Sequence, residues 1–422
     1  MEPQRFFLGG RRFLADDTAL QDTLAAAHET AERPRCMCVA GGVPMYVAKH
    51  RLFVIKRMPE SGPSHHPTCP SFEPDSGTSG LGELIGESVI EHSPDAVELR
   101  VNFPFSHIPG RAVSRADTPP PAEVHAPRRR MSLLAVLHFL YERAGFNRWY
   151  PAMEGRRNQG VLCKYLAEAA QEVTVKGECL NDRLYVPEPF NPDLRAEIAA
   201  RRREKLAFLA APEAGASFKM AILIGEFKTV ETSLSGRKVW IRHMPDAPLL
   251  IDDRAWERAA RAYGPLLQAR DADAGRKPRL LVAALVYARR EWTYQIDTLS
   301  LMLTTDRWIP VEGIHELPLI ELLCEQQRSF LKPLRYAARS ASAFPNVLLL
   351  DATDGSGRPI PLHVLSAFAG PAERAARMRA IRALGDNAWV WHTDRAMPAL
   401  PEPERHPRRA PDRRSRLAAV PD

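Results

Sequence analysis

The residues best suited to chemistry in this chain lie between positions 36 and 69. Cys36 and Cys38 open this segment, and His65, His66 and Cys69 close it. Three thiolates and one imidazole are the donor set of a closed, tetrahedral zinc site. Two short chelating pairs, far apart in sequence, let one ion hold together two turns of a small module. The segment therefore predicts a Zn²⁺ site formed by Cys36, Cys38, Cys69 and either His65 or His66.

The predicted site is structural, because four protein ligands leave no coordination position for a substrate. Its C-x-C spacing is tighter than the C-x2-C of common zinc ribbons. The alternative is a set of scattered surface residues, with a turn at Pro67 that carries a cysteine. Six cysteines in 422 residues are too few for a disulfide scaffold. We interpret Cys163, Cys179 and Cys324 as ordinary thiols.

A group of arginines is the second candidate site. Gly155 and the two arginines after it precede a predicted helix, and guanidinium groups at that position favour contact with phosphate. Residues 131–186 therefore suggest a DNA-binding unit like a winged helix, and a helical domain with a solvated basic face is the alternative. The partner expected for the whole protein is DNA or RNA. The predicted nucleic-acid-binding residues are Arg128, Arg129, Arg130, Arg148, Arg156 and Arg157.

Two further patterns outline metal-dependent nuclease chemistry. Glu226 and Lys228 have E-x-K spacing, and the period of two in a strand places them on one face. No acidic residue clearly precedes them on an earlier strand, so charges alternating on a strand end are the simpler interpretation. In a second hairpin, the positions of the metal-binding acids fall at Asn346 and His363, which favours a structural role. The P-loop, dinucleotide-binding, serine-hydrolase and H-E-x-x-H motifs are absent from the sequence.

The size and composition are those of a globular protein with an α+β pattern. A chain of 422 residues is long enough for two or three domains, and 45% of its residues are hydrophobic. The net charge of +7 permits nucleic-acid contact without requiring it. No apolar run approaches the roughly 18–20 residues of a membrane span, so no membrane partner is expected. The N-terminus lacks the pattern of a secretory signal, so the expected location is cytoplasmic.

The order of elements predicts a small N-terminal β-rich zinc-binding module, then a helical segment, then a mixed α+β domain. The predicted boundaries are 1–106 for the module, 107–130 for a linker rich in proline and arginine, 131–210 for the helical segment, 211–400 for the α+β domain and 401–422 for a disordered basic tail. Strands are predicted at 45–48, 52–56, 97–101, 173–175, 184–186, 218–229, 238–243, 279–288, 293–304, 346–351, 359–366 and 388–392. Helices are predicted near 133–144, at 158–173, from 191, and at 253–269, 314–330 and 371–384.

Several longer strings carry a resemblance: RPRCMCVAGGVPMYVAKHRLFVIKRMP, SGPSHHPTC, GFNRWYPAMEGRR and AWVWHTDRAMPALP. They resemble an uncharacterised bacterial family, catalogued only as a domain of unknown function, whose members are often encoded on plasmids and integrative elements. The resemblance covers about residues 5–401. It implies a histidine ligand at His65 rather than at His66, and it implies no activity.

These patterns together predict a non-enzymatic, zinc-stabilised accessory protein of a bacterial mobile element that binds nucleic acid. One alternative is a divergent or degenerate metal-dependent nuclease. The other is a protein–protein adaptor in conjugation or defence.

Overall fold

The computed structural model describes residues 4–15, 17, 19–30, 32–49, 52–93, 96–107, 129–210, 217–234, 236–272, 275–290, 292–383 and 388–404. Most of the predicted linker, most of the predicted basic tail and Arg128 lie outside these residues.

The described chain is α+β, as predicted, and its helices and strands alternate along its whole length. The helices are α1 Leu20–His28, α2 Leu133–Arg143, α3 Gln159–Gln171, α4 Arg195–Lys205, α5 Asp253–Ala262, α6 Gly264–Ala272, α7 Leu317–Glu325 and α8 Pro371–Ala383. The strands are β1 Arg5–Leu8, β2 Arg11–Leu14, β3 Arg35–Cys36, β4 Val43–Lys49, β5 Phe53–Arg57, β6 Val89–Ser93, β7 Ala96–Leu99, β8 Ser106–His107, β9 Arg148–Trp149, β10 Val173–Val175, β11 Glu178–Cys179, β12 Leu184–Tyr185, β13 Phe218–Lys219, β14 Ala221–Ser233, β15 Gly236–Ile241, β16 Leu249–Ile251, β17 Arg279–Arg290, β18 Thr293–Thr304, β19 Pro310–Val311, β20 Phe330–Leu331, β21 Val347–Thr353, β22 Pro359–Leu365 and β23 Trp389–His392.

The N-terminal sheet has the order β2-β1-β3-β4-β5, and all its pairings are antiparallel. The predicted hairpin of 45–48 and 52–56 is its β4–β5 pair. Phe6, Leu24 and Met45 are buried in a small core with Cys36 and Cys69. The cysteine segment therefore lies in the core of this sheet.

The central sheet is built around β14, whose two halves pair with different strands. Residues 221–226 pair with β17, and residues 227–233 pair with β15. Because β16 pairs with both β15 and β18, and β18 pairs with β17, these strands close into a ring. Alternate residues of β14 enter opposite cores: Ile222 packs with the core of α2 and α3, and Leu223 with the core of α5, α6 and α7. Burial on both faces explains the continuous apolar run in the sequence.

Strands of the predicted helical segment join three other parts of the fold. Strand β10 pairs in parallel with β7, β12 pairs in parallel with β14, and β9 pairs with β20. In particular, the 184–186 segment does not form a hairpin with β10, whose hairpin partner is β11. Each of these pairings joins residues on opposite sides of a predicted boundary, at 106 or at 210. The domain boundaries themselves stay a prediction.

Two predicted helices differ from those observed. The helix predicted at 253–269 is two helices, α5 and α6, because Gly264 and Pro265 interrupt it at a point where proline supplies no backbone donor. The helix predicted at 314–330 is shorter: α7 ends at Glu325, and Gln327 has a φ of 54° that turns the chain into β20. The predicted hairpin between β21 and β22 is present. Within the described residues, none of the helices has the length and apolar character needed to cross a bilayer.

Candidate metal centre and the adjacent cleft

Four of the residues singled out by the sequence converge on one point of the N-terminal core. Cys36 is the last residue of β3, and Cys38 follows it in the next turn. His65 ends a short 3-10 turn, and Cys69 lies in the turn after it. One donor atom from each of the four residues lies within 4.8 Å of all the others. The cluster could therefore hold a metal ion.

The distances between the donor atoms match the edges of a metal-centred tetrahedron. The Sγ atoms of Cys36 and Cys69 are 3.6 Å apart. Nδ1 of His65 is 3.3 Å from Sγ of Cys38 and 3.7 Å from Sγ of Cys69. For Zn–S distances of about 2.3 Å and Zn–N distances of about 2.0 Å, tetrahedral edges are about 3.5–3.8 Å. The spacing thus suits a small ion with sulfur and nitrogen ligands.

Two glycines let the backbone make the turns that bring the donors together. Gly42 has a φ of +68°, a conformation that side chains disfavour, and it lies against Met37. At Gly62, a Cβ atom would lie 2.6 Å from Cβ of Glu73, so only glycine permits this close approach. The carbonyl of Gly62 then accepts hydrogen bonds from the backbone N–H groups of His65 and Glu73.

The sulfur atoms receive hydrogen bonds from donors that the sequence did not indicate. Nε2 of Gln4 donates to Sγ of Cys36 at 3.2 Å and to Sγ of Cys69 at 3.6 Å. The backbone N–H of His66 donates to Sγ of Cys38 at 3.5 Å. Such donors stabilise the thiolate form that binds metal. No spacing rule links Gln4 to cysteines so far along the chain, so sequence reasoning missed it.

The two histidines have different roles. His65 is buried and directs Nδ1 at the sulfurs. His66 directs its own Nδ1 at the hydroxyl of Thr68, 2.8 Å away. The structure therefore places His65, and not His66, in the cluster.

The electrostatics of the cluster favour a cation. Hydrogen bonds from Cys38 and Cys69 lower the pKa of the Cys36 thiol far below its usual value. Burial lowers the pKa of His65, but hydrogen bonds to Cys36 and Cys38 outweigh it and raise this pKa to about 9. Hydrogen bonds to Cys36 and Cys38, together with burial, instead raise the pKa of the Cys69 thiol, so the negative charge is concentrated on Cys36. Because all four donors come from the protein and three of the residues are buried, the arrangement suits a structural ion rather than a catalytic one.

A cleft of about 1030 Å³ lies beside the metal centre. We call it the arginine cleft. Two stretches of the chain, residues 57–79 and residues 139–165, supply most of its lining, and Leu331 and Tyr336 also contribute. Of the predicted nucleic-acid-binding arginines, the cleft is lined by Arg148, Arg156 and Arg157.

Arg148 and Arg157 are held by neutral groups. Arg148 donates to the carbonyls of Pro70, at 2.8 Å, and of Phe72. Arg157 donates to the carbonyls of Gly145, Phe146 and Arg148. Burial lowers the pKa of Arg157 to about 10, so it stays charged at neutral pH. Neither arginine has a carboxylate partner among the described residues, so each keeps its positive charge.

The other predicted arginines lie in different surroundings. Arg156 is exposed, and its side chain has no ion pair or hydrogen bond within the described ranges. Arg129 pairs with Glu83, whereas Arg130 is exposed. Arg129 and Arg130 do not line the cleft.

A family model described as "Protein of unknown function (DUF1173)" matches residues 6–394. The chain belongs to this family. No curated protein and no solved structure matches it.

The glutamate of the E-x-K pair of this family member is held in an ionic network. Glu226 is 4% exposed. Its Oε1 lies 2.7 Å from Nε of Arg242, and its Oε2 lies 2.9 Å from Nη1 of Arg279. Lys228 is exposed, at a β-bulge where the register of β14 against β15 shifts. The two guanidinium groups compensate the carboxylate charge that a metal would otherwise meet.

The second nuclease-like hairpin contains no carboxylate at its two key positions. Asn346 is buried, donates to Glu316 and accepts from the N–H of Val364 at 2.8 Å. His363 is fully buried, and burial lowers its pKa to about 4, so it is neutral. These contacts are structural.

Proposed function

We propose that this protein is a non-enzymatic accessory protein of a bacterial mobile element, stabilised by zinc, that binds nucleic acid through the arginine cleft. The mobile-element context rests on the family resemblance alone. The zinc part is supported by the tetrahedral spacing of Cys36, Cys38, His65 and Cys69. Three sulfurs and one imidazole form a donor set that zinc prefers over the hard cations Mg²⁺ and Ca²⁺.

One observation carries the binding part of the proposal. Arg148, Arg156 and Arg157 line one cleft, and none of them has a carboxylate partner among the described residues. Uncompensated arginines on a concave surface attract phosphate and release counterions when they bind it. Carbonyl groups hold two of the three in place, which lowers the entropy cost of binding.

The metal centre and the cleft share a wall, which gives the zinc a role in binding. Arg148 donates to carbonyls of residues 70 and 72, and the hydroxyl of Tyr150 donates to the carbonyl of Cys69 at 3.4 Å. The turn that carries the last metal donor therefore also positions an arginine. Removal of the ion would loosen this turn and weaken binding.

The test measures metal and nucleic acid together. Purified protein is analysed for zinc and then titrated with labelled DNA and RNA over a series of salt concentrations. We expect close to one zinc per chain and an affinity that falls as salt rises, with a slope of about −0.7 to −0.9 per phosphate contact on a log–log plot. The variant Arg156→Gln reduces the slope, and Arg358→Gln, an exposed arginine outside the cleft, leaves it unchanged. Absence of binding at low salt would refute the proposal.

A further inference from the structure

The two stretches that line most of the arginine cleft carry opposite net charge. Residues 139–165 contribute Arg148, Arg156 and Arg157, with Arg143 and Glu142. Residues 57–79 contribute Glu60 and Asp75, which are both exposed, and Glu73 and Arg57, which form an ion pair with each other. The first stretch, which we call the arginine wall, is therefore suited to phosphate, and the second, which we call the acidic wall, repels it.

This asymmetry distinguishes single strands from duplexes. A duplex carries a phosphate backbone on each of its outer sides, so the acidic wall would face one of them. A single strand can place its phosphates on the arginine wall and its base edges on the acidic wall. Carboxylates accept hydrogen bonds from the exocyclic amino groups of bases, as they do from N4 of cytosine. Thymine and uracil have no such group.

An aromatic ring is available for base stacking. Tyr165 lies on α3 and lines the cleft, and 43% of its surface is exposed. Nζ of Lys164 lies 5.2 Å from the centroid of this ring. Aromatic rings beside a positively charged groove are the usual means of binding single strands, because every base has a face that can stack. The cleft volume of about 1030 Å³ is large enough for a short stretch of single strand.

We propose that the arginine cleft binds single-stranded nucleic acid, with phosphates on Arg148, Arg156 and Arg157, a base stacked on Tyr165, and amino-bearing base edges on Glu60 and Asp75. This inference rests on the proposed function and names its ligand. It predicts a preference for cytosine and adenine over thymine and uracil.

The experiment uses the full-length, zinc-loaded protein and fluorescence anisotropy. The probes are oligonucleotides of about 12 nucleotides, a length typical of single-strand sites. They comprise oligo-dC, oligo-dA, oligo-dT, the RNA equivalents and a mixed-sequence duplex. We expect oligo-dC and oligo-dA to bind about tenfold more tightly than oligo-dT and the duplex. Equal affinities for the DNA and RNA series would mean that the cleft binds single strands without recognising the sugar. A difference in affinity would identify which of the two nucleic acids is the ligand.

Three variants separate the contributions. Tyr165→Ala is expected to weaken binding of every single strand about tenfold, because the stacking platform is lost. Asp75→Asn is expected to lower the affinity for oligo-dC toward that for oligo-dT, while the affinity for oligo-dT, which has no amino group to donate, does not fall. Trp292→Ala, an exposed aromatic residue outside the cleft, is the control and is expected to change nothing. Far-UV circular dichroism confirms that each variant is folded.

Two failures have different meanings. If the duplex binds as tightly as the single strands and Tyr165→Ala has no effect, the inference is wrong while the proposed function stands. If no probe binds at low salt, the proposed function itself is wrong.

Discussion

Nζ of Lys332 lies 2.8 Å from Oε1 and 2.7 Å from Oε2 of Glu316, and the two side chains are only 1% and 4% exposed. The carboxylate has two further donors: the side-chain amide of Asn346 bonds to Oε1, and the backbone N–H of Glu312 bonds to Oε2 at 2.8 Å. This buried pair joins the start of α7 to the residue after β20. The backbone N–H of Lys332 also bonds to the carbonyl of Asn147 at 2.7 Å, which ties the same point to the residue before β9.

Replacing Lys332 by methionine is expected to destabilise the protein by about 3–5 kcal/mol, because it leaves the charge of Glu316 buried without its cation. The free energy of unfolding is measured by urea denaturation. In the double variant Lys332→Met/Glu316→Gln, neither charge of the pair remains. We therefore expect the free energy of unfolding to fall less than in Lys332→Met alone. Equal or greater loss in the double variant would contradict this account of the pair.

The candidate metal site gives a prediction that separates the two histidines. His65→Ala removes one of the four converging donors, so we expect the purified variant to lose its zinc and to unfold at a lower temperature. His66→Ala removes a side chain that faces Thr68 instead, and it should retain the metal. Elemental analysis and thermal melts of the two variants provide the measurement. Zinc retained in His65→Ala and lost in His66→Ala would reverse the assignment.

Gln4 offers a test of the hydrogen bonds to sulfur. In Gln4→Leu the metal donors are intact, but Cys36 and Cys69 lose a shared amide donor. We expect one zinc per chain as before, with an affinity about 10- to 100-fold weaker in competition with a chelator. The matched control is Gln171→Leu, at the end of α3 and away from the cluster. An unchanged zinc affinity would show that the amide has no influence on the metal.

The convergence of the metal donors was predictable because it depends on residue type and local spacing. Thiolates and an imidazole in two short pairs have few other roles in a small β-rich segment. The choice of His65 over His66 needed the family resemblance, since either spacing suits zinc. Gln4 could not be found, because a single amide donor has no spacing signature.

Charge along the sequence was a weaker guide than ligand chemistry. The run Arg128–Arg130 and the pair at 156–157 look alike in composition, yet Arg157 is fixed by backbone carbonyls and Arg129 is paired with Glu83. Which arginine keeps an uncompensated charge depends on tertiary contacts far away in sequence. Strand β12 illustrates the same limit: the sequence predicts a strand at 184–186 but not its partner, which is β14.

Glu142 gives a prediction for pH, because its carboxyl group lines the arginine cleft in a half-buried position. Burial raises its pKa from 4.5 to about 7, although the hydroxyl of Tyr336, 2.6 Å from Oε2, opposes this rise. Glu73, Arg143 and Arg148 are the nearby charges, and the two arginines also oppose it.

The sign of the effect follows from proton binding. Between pH 4.5 and about 7 the folded protein keeps the proton of Glu142, whereas the unfolded chain releases it. The unfolded state then binds fewer protons, so the contribution of this group to stability falls as pH rises through that window. A pKa difference of this size lowers the free energy of unfolding by up to about 3 kcal/mol. The decrease is complete above pH 7.

The variant Glu142→Gln has no proton to release at this position. We therefore expect the stability of the wild type relative to Glu142→Gln to decline between pH 5 and pH 7 and to level off above pH 7. Urea denaturation of both proteins across this range measures the difference, and effects common to both proteins, such as acid release of metal, cancel. Glu168→Gln, which removes an exposed carboxylate on α3 outside the cleft, is the matched control. A wild-type protein that gains stability over Glu142→Gln as pH rises would show that the folded state favours the ionised carboxylate, contrary to its burial.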